Sequence, residues 1–339
     1  MSGTQAWGFT DDRGAQLGAA RVPRRVVAYV RAGAALYDLG VIPVAVYGSG
    51  HDGDAYDPAK AGVLEAVGVP YLGPGRALDE AVLRELRPDV VVDVTYDGKS
   101  PYALDAALVE RLGVPLVALS VGNELDLPAI LDRFAALAAG LRIDGREGAG
   151  PEGVGAEATE AGVADPGAVD PAAPVPVPVP VPVVVGSDAS GPEIVTPVTV
   201  SPATGPGQGA ALAEFEAAEA ALREAAARSG LGVLALSGAG PEQVHLARPH
   251  AWPELAWLAG LGVRLLDPGP GPGANWLTAD WVRAAELRPD LVLFDNREHA
   301  TPPYALPGGV RLAPWNPETP PSPAAYARFF RDLAEALAP

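Results

Sequence analysis

The four histidines of this chain, His51, His245, His250 and His299, all fall in polar loops that follow short apolar runs. Aromatic and basic residues gather in the same loops. Tyr29, Arg31, Tyr47, Tyr56, Tyr96, Lys99 and Tyr102 stand in the first half, and Arg248, Trp252, Trp276, Arg297 and Tyr304 in the second. Aromatic faces with a base beside them suit a bulky planar ligand that stacks on rings and presents oxygen atoms to arginine or lysine. A second chemistry is open to the histidines, because neutral imidazoles bind borderline transition ions, and His245 with His250 would join His51 and His299 around one. Yet His245 and His250 are separated by a proline and do not share one helical face, so the spacing assigns no metal. Asp93, Asp97 and Lys99, or Asp295 with His299, are the pairs available for acid–base work, although no spacing among them specifies a reaction. Residues 48–53, GSGHDG, spell G-x-G-x-x-G after an apolar run. The next helix does not open on the last glycine and no acidic residue ends the following strand, so a dinucleotide site is not supported and no cofactor is expected.

The elements that position these loops are organised around a near-repeat: ELRPDVVV at residues 85–92 returns as ELRPDLVL at residues 286–293. Each copy is a helix end, a Pro-Asp turn and an unbroken apolar run of the kind that forms a strand buried on both faces of a parallel sheet. Upstream of the copies stand VVAYV at 26–30 and VLALS at 233–237, each followed by a helix that closes on Leu-Gly-Val. The alternation implies an α/β chain with two doubly wound parallel-sheet lobes, and in such sheets ligands sit beyond the carboxyl ends of the strands.

In order, FTDDRG at 9–14 reads as a hairpin turn, and strands are expected at 26–30, 41–47, 69–72 and 114–119. A helix is expected over 58–67, and another from the Asp126 cap and Pro128 to Leu141, with Ile130, Phe134, Leu137 and Leu141 inward. Residues 145–209, with VPVPVPVPV at 175–183, read as a disordered or semi-rigid Pro/Gly/Ala/Val insertion. A helix over 210–228, roughly 28 Å long at 1.5 Å per residue, carries Leu212, Phe215, Ala218 and Leu222 in a stripe and suits a spine along the back of both lobes. The second lobe continues with strands at 233–237, 263–266 and 310–312 and a helix at 278–287. After the turn PWNPETPPS comes a final helix that packs Tyr326, Phe329, Phe330 and Leu333. The organisation is thus a lobe at 1–125, a connecting helix at 126–144, the insertion at 145–209, the spine at 210–229 and a lobe at 230–339.

Composition narrows the function. A length of 339 residues exceeds one ordinary core. The formal charge of −18 argues against nucleic acid, which demands basic residues for counterion release. There is no cysteine, so disulfides, thiolate metal sites and a lipidated N-terminal cysteine are excluded. MSGTQAWGFTDDRG lacks the basic and apolar regions of a signal peptide, and no apolar run approaches the roughly 20 residues of a membrane helix. As written, the chain is expected to be cytoplasmic and not membrane-spanning; a different N-terminus would make it extracytoplasmic.

The pattern resembles the helical-hinge (class III) substrate-binding proteins of ABC importers, the type that serves iron-siderophore and vitamin B12 uptake. FTDDRG with PRRVVAYV, LYDLGVIPVAV at 36–46, ELRPDVVV with GVPLVAL, and the stretch from Trp276 through ELRPDLVL carry the resemblance, which spans nearly the whole chain apart from the insertion. It implies two lobes facing each other across a shallow cleft, little closure on binding, a ferric siderophore or similar chelate as ligand, an ABC permease as partner, a monomer and no enzymatic activity. Tyr29, Arg31, Tyr47, His51, Tyr96, Lys99, Tyr102, His245, Arg248, Trp252, Trp276, Arg297, His299 and Tyr304 are the candidate ligand residues. The family's permease-docking glutamates fall here on Ala81 and Val282, so either the nearby Asp79 and Asp280, with Glu80, do the docking instead or coupling to a permease is lost. An intracellular relative with an enzymatic role on a siderophore-like ligand, or direct metal binding through histidine, are the alternatives.

Overall fold

A computed structural model of the chain describes residues 6–142, 208–304 and 306–338. The Pro-Val tract and nearly all of the expected insertion lie outside the described residues.

The chain enters through a hairpin, β1 (Trp7–Thr10) and β2 (Gln16–Ala19), whose turn is the expected Asp-Asp-Arg-Gly. Asp11 holds that turn through the Arg13 and Ala15 amides and also accepts from the Ala118 amide, so the hairpin is docked onto the lobe by its own acid. The first lobe then runs through β3 (Val26–Tyr29), α1 (Val30–Asp38), β4 (Ala45–Gly48), α2 (Pro58–Ala61) and β5 (Tyr71–Pro74). It closes with α3 (Glu80–Leu86), β6 (Val90–Thr95), α4 (Ala106–Leu112) and β7 (Leu116–Ser120). Its sheet has the order β5-β4-β3-β6-β7 with all pairings parallel. Every residue of β3, β6 and β7 is buried, as unbroken apolar strands require when helices cover both faces. Helix α2 is shorter than the expected 58–67, because Gly62 at φ 57° ends it and the chain turns on to Gly68.

Helices α5 (Leu127–Leu141) and α6 (Gln208–Ser229) follow, and then β8 (Gly232–Gly238), β9 (Val244–Ala247), α7 (Pro253–Gly260) and β10 (Arg264–Leu265). The chain ends with β11 (Trp276–Ala279), α8 (Trp281–Glu286), β12 (Leu291–Asp295), β13 (Arg311–Trp315) and α9 (Pro323–Leu337). The second sheet has the order β11-β9-β8-β12-β13, with β10 also on β8. This sheet is mixed where a parallel one was expected, since β9 and β11 are antiparallel additions. The few residues between β8 and β9 are too short for a crossover, so the chain can only return antiparallel. Asp280 caps α8, so Trp276 to Ala279 are left outside the helix and pair as a strand.

The near-repeat has a physical explanation. Among the described residues, Arg87 (φ 44°) and Arg288 (φ 50°) are the non-glycine residues with positive φ, and they occupy the same place in the two copies. Each ends its helix ahead of the proline. The aspartate that follows then ties down the start of the neighbouring strand: Asp89 accepts from the Arg24 and Arg25 amides ahead of β3, and Asp290 from the Gly232 amide that opens β8. The motif sets strand order in each lobe, which is why it recurs.

Core packing shows what joins the lobes. On α5, Ile130, Phe134, Leu137, Ala138 and Leu141 pack into the first lobe's core, while Leu127 and Leu131 belong to the second lobe's core. Asp126 caps this helix through the Ala129 amide, as expected. Helix α6 places Phe215, Ala218 and Leu222 in the second core, with Phe215 5.5 Å from Phe330 of α9 between ring centroids.

Candidate functional site

Strand β3 ends at Tyr29 and α1 begins on the next residue, which places Arg31 in the first helical turn at the carboxyl edge of the first sheet. From the other lobe comes the segment 316–322 between β13 and α9, every residue of it buried. Its acid, Glu318, accepts from the Tyr29 hydroxyl at 2.8 Å and the Tyr102 hydroxyl at 3.4 Å. It also pairs with the Lys60 ammonium at 2.6 Å and with Arg297 at 3.4 Å. Lys60 is held from its other side by Asp52 at 2.6 Å, and Arg297 by Asp295 at 2.7 Å. The Arg31 guanidinium donates to the Thr319 carbonyl at 3.0 Å and to the Tyr96 hydroxyl at 3.1 Å.

Further contacts complete this seam. Asp57 caps α2 and accepts from the Glu298 amide across the lobes. Asn316 donates to the Ala59 carbonyl, and Ser322 donates to Asp38 while also capping α9. Lys60 and Arg297 thus pair with Asp52, Asp295 and Glu318, and Arg31 stands beside them on a carbonyl and a phenol, almost out of reach of water. The charges are compensated and hydrogen-bonded, the condition under which buried ion pairs persist.

The protonation states follow from these surroundings. Burial would raise the Glu318 carboxyl, but Lys60 and Arg297 overcome it and hold the group down at about 2. Burial and the charge of Glu318 both push the Tyr29 phenol far up, so it remains a donor. Glu254, in the first turn of α7, is pushed up to about 7 by burial, only partly offset by the Arg31 guanidinium. Asp93 is likewise pushed up to about 7 by burial, against the Val94, Ala103 and Leu104 amides that hydrogen-bond it.

Outside this seam lies an open rim. His51 of the first lobe and His299 of the second stand with ring centroids 5.6 Å apart. His245 bonds Thr278 at 3.0 Å and lies beside Trp276. Trp276 is half-buried and packs against Trp252 at 4.9 Å and Trp315 at 5.8 Å. Tyr96 and Tyr102 meet edge to face at 4.9 Å, and Lys99 is exposed on a turn tied by Asp97. Burial lowers both His245 and His299, the latter also under the field of Arg297, so both rings are neutral near pH 7.

The fourteen candidate residues therefore divide. His51, Lys99, His245, Trp276 and His299 reach the rim, as do the rings of Tyr96 and Tyr102, whose hydroxyls are engaged in the seam by Arg31 and Glu318. Tyr29, Arg31 and Arg297 are consumed in the seam. Tyr47 is fully buried and donates to the Val92 carbonyl. Arg248 is directed at the carbonyls of Gly269, Gly271 and Gly273, where it folds the DPGPGPG loop. Trp252 is buried and donates to the Asn275 carbonyl, and Tyr304 packs on Trp281. His250 is exposed, 3.9 Å from Asp267. A side chain at Gly48 would collide with the Tyr71 hydroxyl and Asp52, so the first glycine of GSGHDG serves packing. Sequence reasoning missed Glu318, Lys60, Asp52 and Glu254. Lys60 carried one signal, being one of only two lysines in the chain.

No family model matches the chain, and neither does any curated protein. Solved structures do. DesE, a ferric-siderophore receptor protein from Streptomyces coelicolor, superposes with a TM-score of 0.70 over 98% of this chain and 97% of that one, at 22% identity. The chain has the two-lobe, helical-hinge binding-protein fold. The same fold relates it to the heme-binding protein HmuT, with a TM-score of 0.56, 13% identity, and coverage of 100% and 92%. The siderophore periplasmic binding protein from the fuscachelin gene cluster of Thermobifida fusca gives 0.54, 13% identity, and coverage of 93% and 96%. These neighbours of the binding-protein fold are binding proteins, and no helix among the described residues of this chain is long and apolar enough to cross a membrane.

Proposed function

We propose that this chain is a solute-binding protein that captures a ferric siderophore or a related metal chelate where its two lobes meet, for ABC-type uptake. The observation that carries the reading is the placement of the carboxyl edges of two separate sheets against each other, with an aromatic and imidazole rim left open outside a locked seam. Tyr96, Tyr102, Trp276, His51, His245 and His299 would contact the ligand's faces, and Lys99 its oxygens. Because Arg31, Arg248 and Arg297 are spent internally and the chain carries a formal charge of −18, a neutral or cationic chelate suits the rim better than a triply negative one.

The protein performs no chemistry on the ligand in this reading, acts as a monomer and works outside the cytoplasm, as the periplasmic neighbour does, in place of the cytoplasmic location expected from the sequence. Asp79 and Asp280 stand exposed as the N-caps of α3 and α8, equivalent places in the two lobes, and would meet a permease. Glu80 is already paired with Arg84 and Arg111, so it would contribute less.

Titration with a panel of ferric siderophores and haem should quench tryptophan fluorescence for at least one member. Trp276→Phe should remove most of that quench, and Trp252→Phe less of it, since its ring is the more buried. Absence of any quench across the panel, together with no adduct in native mass spectra, would overturn the reading.

A further inference from the structure

We infer that His51 and His299 form a two-imidazole site for a borderline divalent transition ion, such as zinc or nickel, at the mouth between the lobes. The site needs no organic ligand, although its two rings are among those that the chelate reading also places on the rim. His51 lies in the loop after β4 and His299 in the loop after β12, so each lobe contributes one ring from the carboxyl edge of its sheet. The ring centroids lie 5.6 Å apart with the planes 31° from parallel. Two imidazoles on one ion, with metal–nitrogen bonds of about 2.0–2.1 Å, place their centroids roughly 5–6 Å apart. The observed centroid separation falls within that range. Both side chains are exposed, so an ion can enter from solvent without moving the seam.

The surrounding chemistry selects the class of ion. The carboxylates of the adjoining seam are committed, Asp52 to Lys60 and the Ser49 amide, Asp295 to Arg297 and the Ser237 hydroxyl, and Glu318 to Lys60 and Arg297. Nitrogen donors without oxygen partners suit zinc, nickel or copper(II) and do not suit calcium or magnesium, which demand oxygen ligands. Among the described residues, no group of three or more His, Cys, Asp or Glu is arranged to hold a metal ion. The ion is therefore held by two rings, with its remaining positions open to water. Neither of the other histidines competes, since His245 is bonded to Thr278 and His250 stands beside Asp267. The chain has no cysteine to supply a stronger site.

The test uses the tag-free chain, titrated near neutral pH with zinc, nickel or magnesium and followed by calorimetry and by thermal unfolding. Zinc and nickel should each bind one equivalent and raise the Tm with ion concentration, while magnesium should do neither. His51→Ala and His299→Ala should each weaken binding by roughly tenfold or more, because loss of even an outer-shell partner commonly costs 10–100-fold. His250→Ala should bind as the unaltered chain does. Both alanine variants should keep the metal-free Tm, since neither ring is part of a core. No saturable binding of zinc or nickel, or undiminished affinity in either His51→Ala or His299→Ala, would overturn the site and would leave the chelate reading, tested by fluorescence, untouched.

Discussion

Glu318→Ala should destabilise the protein by about 3–5 kcal/mol, the usual cost of removing one partner from a buried charge pair. The substitution strips Lys60 and Arg297 of an anion and leaves the Tyr29 hydroxyl without its acceptor, with Lys60 and Tyr29 closed to water and Arg297 nearly so. Denaturant unfolding monitored by circular dichroism would measure the loss. Glu318→Gln keeps the volume and one acceptor oxygen and should fall between the two. The charge also makes a signed prediction. The folded pKa of about 2 lies below the ordinary glutamate value of 4.5, so Glu318 contributes stability that is present above about pH 4.5 and is lost as pH falls through 2. If Glu318→Ala matched the parent in midpoint and slope, the seam would carry no weight in holding the lobes together.

The second large effect has the opposite sign in pH. Glu254 and Asp93 have folded pKa values of about 7, raised from 4.5 and 3.8, so the folded chain holds protons that the unfolded chain has released. Their contribution is fully present below the unfolded values and is lost as pH rises through 7. For Glu254 alone, whose carboxyl rises from 4.5 to about 7, the loss is on the order of 3 kcal/mol. With Glu318 failing at the acid end, stability should peak near pH 4–5, on the acid side of the range usual for proteins. Glu254→Gln should flatten the decline toward neutral pH and be more stable than the parent at about pH 8, because the amide needs no deprotonated state. Superimposable pH–stability curves for the two proteins would refute a buried protonated Glu254.

The sequence disclosed the lobes better than it disclosed their contact, and the reason is physical. Strand burial and helix periodicity are local, so the apolar runs at 90–92 and 291–293, the Asp126 cap and the Asp-Asp-Arg-Gly turn could be read directly. β9 and β11 were hidden because they are short and flanked by proline and glycine, and they become strands only by pairing, β9 with β8 and β11 with β9. The candidate loops were sought at strand ends. What could not be seen is how each side chain spends its hydrogen bonds. Arg248 reads as a free base until three carbonyls of a glycine-rich loop converge on it, and Arg297 until Asp295 engages it. Glu318 sits in Asn-Pro-Glu-Thr-Pro-Pro, which has every local mark of an exposed turn, and only the opposite lobe turns it into a buried acid.

Helix α5 carries a consequence for how the molecule comes apart. Leu127 and Leu131 are embedded in one core, and Ile130 and Phe134, neighbours on the same helix, in the other. Neither half can melt without stripping apolar surface from a helix that the remaining half also needs. Heat would therefore take both halves together, as one cooperative unit, despite their separate sheets. A ligand resting on the rim would accordingly protect the whole molecule, including strands far from any contact with it.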